Sequence, residues 1–371
     1  MPRLADLSLE DRVGQLFWIG FEGTVCGPPL ERLIRHVRPG GLILFGRNIE
    51  TAKQVRALTD ALYRALPVPP FIALDQEGGR VNRLRPIIGQ TPSSQWLAGL
   101  PHGAAAVKKH ATATVISLKS LGFNVNFAPV LDLSGPDSRN GIGDRAFAED
   151  PRKVVDLASV ALREHLRSGV IPVGKHFPGL GSAPADSHLA LPVIRRSRTL
   201  LFSRDLLPYR RLRRSLPIIM VGHAFYPALQ GRRPQPATLS GRLIDGILRT
   251  RIGHRGLVLT DDLEMGAIDQ EALGSEQALA AFEAGNDGLM FCRSAERILE
   301  ARDGMIEATH AGSIPSGRLN LSLRRILALK ERYLLRHRRS RFSRGSIARA
   351  RLLLESLDGP QPAGSDPTAR P

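Results

Sequence analysis

The stretch Val170-Ile171-Pro172-Val173-Gly174-Lys175-His176-Phe177-Pro178-Gly179-Leu180-Gly181-Ser182 starts apolar and stops on two cationic or titratable side chains. A short apolar run of this kind fits a buried strand. The Gly, Pro and Ser that follow mark a loop. That loop continues into Asp186-Ser187-His188, an Asp and a His separated by one residue. A strand end, a loop and an Asp-x-His pair outline a small catalytic apparatus, provided other segments supply its partners.

The same pattern recurs along the chain. Apolar runs stand at Leu16-Phe17-Trp18-Ile19-Gly20, Gly41-Leu42-Ile43-Leu44-Phe45, Phe71-Ile72-Ala73-Leu74 and Val125-Asn126-Phe127-Ala128. Others are Val170-Ile171-Pro172-Val173, Ile218-Ile219-Met220-Val221, Leu257-Val258-Leu259 and Gly288-Leu289-Met290-Phe291. Between them lie amphipathic stretches. Helices are expected over Leu7 to Gln15 with Ser8 as cap, Thr51 to Leu66 with Thr51 as cap, and Pro151 to Ser168 with Asp150 as cap. Buried strands alternating with helices form parallel βα units, and about eight of them predict an α/β fold, a single-domain (β/α)8 TIM-type barrel. A doubly wound sheet is the alternative, but no Gly-x-Gly-x-x-Gly follows the first strand. Just past the runs come Arg47-Asn48, Asp75-Gln76-Glu77, Asp132, Lys175-His176, His223 and Asp261-Asp262. Loops are polar anyway, which explains one or two of these clusters. Carboxylates and imidazoles at most of the strand ends point instead to one mouth where an active site is built.

The chain has 371 residues, 42% of them hydrophobic, enough for a sizeable core. Its two cysteines, Cys26 and Cys292, offer no disulfide framework and no metal spacing; buried thiols in a reducing compartment are expected. The N-terminal residues lack the apolar core of a signal peptide, and no apolar stretch is long enough to span a bilayer, so a cytoplasmic location is expected. The net charge of +17 is carried largely by arginine, densest at Arg336 to Arg344, with a second cluster at Arg210-Arg211-Leu212-Arg213-Arg214. No nucleic-acid-binding motif accompanies it, so surface duty is the simpler reading. Residues 1–335 are expected to form the barrel. Residues 336–371 should be a basic tail, helical over Ile347 to Leu357 and then disordered.

Several stretches together resemble the single-domain β-N-acetylglucosaminidases of glycoside hydrolase family 3, of the bacterial cell-wall-recycling type. They are Gly40-Gly41-Leu42-Ile43-Leu44-Phe45-Gly46-Arg47-Asn48, Asp75-Gln76-Glu77-Gly78-Gly79-Arg80-Val81, Asn126-Phe127-Ala128-Pro129-Val130-Leu131-Asp132 and Gly143-Asp144-Arg145-Ala146-Phe147. The stretch from Lys175, His223 before Tyr226-Pro227, and Thr260-Asp261-Asp262-Leu263-Glu264-Met265 complete the set, covering roughly Leu9 to Leu335. Members of the family often carry His where Leu180 stands.

The resemblance implies that Asp261 is the nucleophile of a retaining glycosidase, a carboxylate within bonding reach of the anomeric carbon. Read without it, Asp261 is equally a helix N-cap. Asp262 is assigned a structural role. The resemblance also makes His188 the acid/base, oriented by Asp186, where most retaining enzymes use a second carboxylate. A carboxylate on one ring nitrogen raises the basicity of the other. The bland alternative is a turn Asp beside an exposed His. By the same resemblance Asp75, Arg145, Lys175 and His176 bind sugar hydroxyls. For Arg145 an ion pair with Asp144 or Asp132 is the competing reading. His223 either lines the sugar site or is a satisfied barrel-core His. Glu77 and Arg80 are substrate contacts or a structural pair fixing the Gly78-Gly79 turn, with Glu77 read as structural. Met265 is a wall for an apolar sugar face, or ordinary packing.

The expected activity is removal of terminal N-acetylglucosamine from muropeptides carrying 1,6-anhydro-N-acetylmuramic acid, with no cofactor and no metal. The expected partner is that small carbohydrate substrate alone, handled by a monomer without nucleic acid or membrane. Its acidic groups suit a basic surface. On the same fold, a phosphorylase using phosphate as acceptor or a β-glucosidase is the alternative. In another class stands a basic nucleic-acid-binding protein on a barrel scaffold, with the C-terminal arginines as contact.

Overall fold

The computed structural model describes residues 1–134, 141–187, 189–335, 339–357 and 366. Strands β1 (Phe17–Ile19), β2 (Gly41–Ile43) and β3 (Phe71–Leu74) are followed by a small hairpin, β4 (Gln76–Gly78) and β5 (Val81–Asn82). Then come β6 (Val125–Asn126), β7 (Ile171–Phe177), β8 (Ile218–Val221), β9 (Leu257–Asp262) and β10 (Gly288–Phe291). Eight of them close a parallel ring in the order β1-β2-β3-β6-β7-β8-β9-β10, with β10 returning to β1 through Phe17 opposite Leu289. The (β/α)8 barrel expected from the apolar runs is therefore the fold. β7 and β9 run past their apolar stretches, and the extra residues carry Lys175, His176, Asp261 and Asp262 toward the mouth.

The helices start where short polar side chains offer an acceptor. Asp11 N–H donates to Ser8 Oγ at 3.2 Å, Gln54 N–H to Thr51 Oγ1 at 3.2 Å and Arg152 N–H to Asp150 Oδ1 at 2.9 Å. Each satisfies a first-turn amide that the helix itself leaves without a partner. The helix Pro151–Ser168 has the bounds that its apolar spacing predicts. Among the described residues no helix is long and apolar enough to cross a membrane.

The barrel interior is filled by side chains. Trp18 stacks on Phe71 with ring centroids 4.8 Å apart and lies 6.1 Å from Phe127. Gly41 is what makes room for that indole: a Cβ there would stand 2.5 Å from the Trp18 ring. With aromatic rings filling the interior, the strand ends at the mouth are where polar side chains can gather.

The chain beyond the barrel docks on it. The helix Arg344–Glu355 buries Ile347, Ala350 and Leu354 and packs on the helix Gly103–Leu121. Arg351 Nε donates to the Ile87 carbonyl at 2.7 Å, and Arg56 Nη1 to the Ser340 carbonyl at 2.6 Å. The terminal residues read as disordered, apart from Asp366, lie outside the described residues.

Candidate active site

A cavity of about 460 Å³ opens at the C-terminal ends of the strands. It gathers Asp75 from the end of β3, Lys175 and His176 from β7, Asp261 from β9, and Arg145 and Met265 from loops. Six of the side chains singled out in the sequence therefore line one cavity.

Its floor is a buried ion-pair network. Lys175 Nζ lies 2.5 Å from Asp75 Oδ1 and 2.6 Å from Glu77 Oε1. Arg145 grips Glu77 with two parallel bonds, Nε to Oε2 and Nη2 to Oε1, both at 2.8 Å. Nη1 of Arg145 donates to the Gly141 carbonyl at 3.0 Å. Burial would raise the Glu77 carboxyl, but Arg145 and Lys175 outweigh it and hold it well below the usual carboxylate range. Burial would also lower Lys175, and Asp75 with Glu77 raise it instead, so its ammonium charge is secure. Arg145 thus pairs with neither Asp144 nor Asp132, the two partners considered from sequence. Nor do Glu77 and Arg80 pair with each other; Arg80 Nε donates to Asp144 Oδ1 at 2.8 Å. The Gly78-Gly79 turn between them has φ of +105° and +59°, and a Cβ on Gly78 would lie 2.5 Å from the Pro92 carbonyl oxygen. Glycine is needed there on both counts.

His176 is oriented by Asp132. Its Nδ1 is 2.6 Å from Asp132 Oδ2, which also accepts the His176 amide at 3.1 Å, while Oδ1 accepts the Leu180 amide at 2.7 Å. One buried carboxylate therefore fixes both the ring and the start of the loop after β7. The Tyr226 hydroxyl donates to the Gly179 carbonyl at 2.8 Å and holds the next turn. Leu180 is itself buried, its side chain close to Gly222. The loop at this point is thus secured by its backbone and by the buried leucine side chain.

On the opposite wall, Asp261 and Asp262 end β9. The Asp262 amide donates to Asp261 Oδ1 at 2.9 Å, and Asp262 Oδ1 accepts the Glu264 amide at 3.1 Å. Glu264 accepts three backbone amides after β10: Cys292 at 2.8 Å, Arg293 at 2.7 Å and Ser294 at 3.0 Å. Burial, followed by the Glu264 charge, pushes the Asp262 carboxyl up to about 7.

His223 does not line the cavity. It is fully buried, with Nδ1 2.6 Å from Thr238 Oγ1 and Nε2 2.9 Å from the Asp262 carbonyl. Both ring nitrogens face partners inside the barrel wall, and the bond to the Asp262 carbonyl ties it to the end of β9. Asp186 is half-buried and also outside the cavity lining, and Gly141 approaches it so closely that a Cβ would lie 3.1 Å from its carboxylate. His188 lies outside the described residues. The residue before it is tied to the segment after β9, because the Ala267 amide donates to the Ser187 carbonyl at 3.2 Å.

Sequence reasoning passed over several lining residues: Glu22, Phe45, Arg83, Met220, Met290 and Arg293. Arg83, whose Nη2 lies 3.7 Å from Asp75 Oδ2, follows the Gly78-Gly79 turn closely enough that the resemblance there was the available signal. Arg47 was visible at a strand end; it pairs with Glu22 at 2.7 Å and donates to the Cys292 carbonyl at 2.6 Å, closing the rim between β2 and β10.

A barrel with paired acidic strand ends facing a lysine, a histidine and an arginine is the frame of a glycoside hydrolase. The sequence profile of the Glycosyl hydrolase family 3 N terminal domain matches residues 8–329. A Beta-hexosaminidase from Alkalilimnicola ehrlichii is 42% identical over 286 residues, which are 76% of this chain and 81% of that protein. A Beta-hexosaminidase from Pseudomonas aeruginosa is 37% identical over 282 residues, 75% of this chain and 83% of that one. Among solved structures, the family 3 β-N-acetylglucosaminidase from Paenibacillus superposes with a TM-score of 0.88 at 34% identity, covering 95% of this chain and 68% of that one. The chain belongs to glycoside hydrolase family 3. Its relatives make it a glycoside hydrolase of the β-N-acetylhexosaminidase type.

Proposed function

We propose that the chain is a retaining exo-β-N-acetylglucosaminidase that removes terminal N-acetylglucosamine from muropeptides ending in 1,6-anhydro-N-acetylmuramic acid. In this reading Asp261 attacks the anomeric carbon while His188, steered by Asp186, protonates the departing glycosidic oxygen. The glycosyl ester on Asp261 is then cleaved by a water that gives its proton to the same imidazole, which restores both groups. A histidine in this role places no second negative charge beside the Asp261 carboxylate. Asp75, Lys175, His176 and Arg145 hold the sugar hydroxyls, and Met265 backs its apolar face.

The observation that carries the reading is the single cavity in which Asp261 faces Asp75, Lys175, His176 and Arg145. Support for the acid/base comes from the Ser187–Ala267 backbone bond, which draws the Asp186 loop toward the residues after β9. Arginines at the rim, Arg47 and Arg293, suit an aglycone that carries carboxylates. The test compares an aryl β-N-acetylglucosaminide, the matching aryl β-glucoside and an anhydro-muropeptide, with and without phosphate. Release of free N-acetylglucosamine in both buffers, with little turnover of the glucoside, is expected. A sugar 1-phosphate as product, or a preference for the glucoside, would overturn the proposal.

A further inference from the structure

The arginines near the closed end of the barrel fall into two groups. Arg249, Arg318 and Arg325 converge on one carboxylate, Asp287, at 2.5, 3.7 and 2.8 Å. Four others surround a second cavity, of about 570 Å³. Arg213 and Arg214 come from the turn before β8, Arg255 from the turn before β9, and Arg332 from the end of the helical segment that follows Ser316. These turns precede the strands, so the cavity lies on the face opposite the active-site mouth. Leu216 and Tyr333 contribute a buried apolar floor.

Among the described residues, none of the four has a carboxylate within ion-pair distance. Arg213 gives one N–H to the Arg210 carbonyl at 2.6 Å, and Arg332 lies 5.3 Å from the Tyr333 ring centroid. Arg214, Arg255 and Arg332 are exposed around the opening. Four like charges about one concavity repel each other unless an anion sits between them. Guanidinium forks engage phosphate oxygens two at a time, and a concavity of this volume is of the size that encloses a small ligand. A polynucleotide would instead call for a track of charge running past the cavity.

We propose that this cavity binds a small polyphosphorylated ligand, as a free polyphosphate chain or as the phosphate tail of a nucleotide. The arginines take the phosphate oxygens, and the floor of Leu216 and Tyr333 takes whatever apolar or aromatic group the phosphates carry.

The test is calorimetric titration of the full chain with sodium tripolyphosphate and, separately, with ATP, at about 150 mM salt so that diffuse attraction is screened. One equivalent should bind with either probe. ATP binding the more tightly identifies the nucleotide as the better source, and tripolyphosphate the more tightly identifies the free chain. The double variant Arg214→Gln/Arg255→Gln should weaken binding at least about tenfold. Arg210→Gln/Arg211→Gln removes the same charge outside the cavity and should leave affinity within about twofold. Both variants should hydrolyse an aryl β-N-acetylglucosaminide as the parent does, because the mouth is on the other face. No saturable binding, or equal loss in both double variants, would overturn the proposal. So would tighter binding of a single-stranded oligonucleotide than of either small probe, which would make the face a nucleic-acid surface instead.

Discussion

At the scale of single residues the account divides two adjacent carboxylates. Both line the cavity; Asp262 in addition accepts the Glu264 amide and is the one whose carboxyl burial pushes up. Asp261→Ala should lower kcat by at least about 10³-fold while the protein stays folded, measured on the aryl glycoside beside a thermal melt. Asp262→Asn tests the neighbour differently. A carboxyl held near 7 in the folded chain and near its ordinary value when unfolded binds its proton more tightly in the native state. Its contribution to stability is therefore largest in acid and is lost as pH rises from about 4 toward 7. Asn keeps the amide acceptor and removes the titration, so the variant's melting temperature should fall less between pH 5 and pH 8, on the order of a few degrees. An identical pH profile in parent and variant would contradict that environment. In the letters Asp261-Asp262 both are strand-end carboxylates, and it was the resemblance that assigned the first as nucleophile and the second as structural.

At the scale of elements, carboxylates that never meet solvent hold the loops. Glu77 serves Arg145 and Lys175 together, each with a side chain 2–3% exposed, so Glu77→Gln leaves two buried cations short of their counter-charge. Loss of about 3–5 kcal/mol in a denaturant melt is expected, with a large fall in kcat/KM. Leu180→Ala should cost about 2–5 kcal/mol and shift the loop after β7, because the leucine is buried. If the stability of that variant equals the parent's, the side chain is not part of the loop's packing. These elements were partly legible in sequence. The strands and capped helices follow from apolar period and from Ser8, Thr51 and Asp150 as acceptors. The tether from Asp132 to His176, and that from Glu264 to the amides after β10, join segments dozens of residues apart. No local pattern encodes such pairings. For the same reason the partner of Arg145 was sought among nearby residues and is found at Glu77, across the sheet.

At the scale of the whole molecule, residues 339–357 belong to the folded body. Arg339 Nη1 pairs with Asp60 at 2.8 Å, Ser120 and Ser343 are joined by paired bonds, and Ile347 and Leu354 are buried. Ending the chain after Leu335 should lower the melting temperature markedly, since burying those two aliphatic side chains alone is worth roughly 3–6 kcal/mol before chain entropy is subtracted. A truncated protein that melts like the parent would show the docked helix to be dispensable. The barrel itself was readable because eight apolar runs alternate with amphipathic stretches and most of the runs end in polar groups. What composition could not reveal was how the +17 charge is paired: arginines shared by Asp287 beside arginines that, among the described residues, have no carboxylate within ion-pair distance. The central claim is that Asp261 becomes glycosylated during turnover. Tandem mass spectrometry of the enzyme quenched while turning over a slow 5-fluoro-N-acetylglucosaminide tests it most directly. The account predicts one sugar attached to the Asp261 carboxylate; attachment at Asp262, or product of inverted anomeric configuration with no adduct, would contradict it.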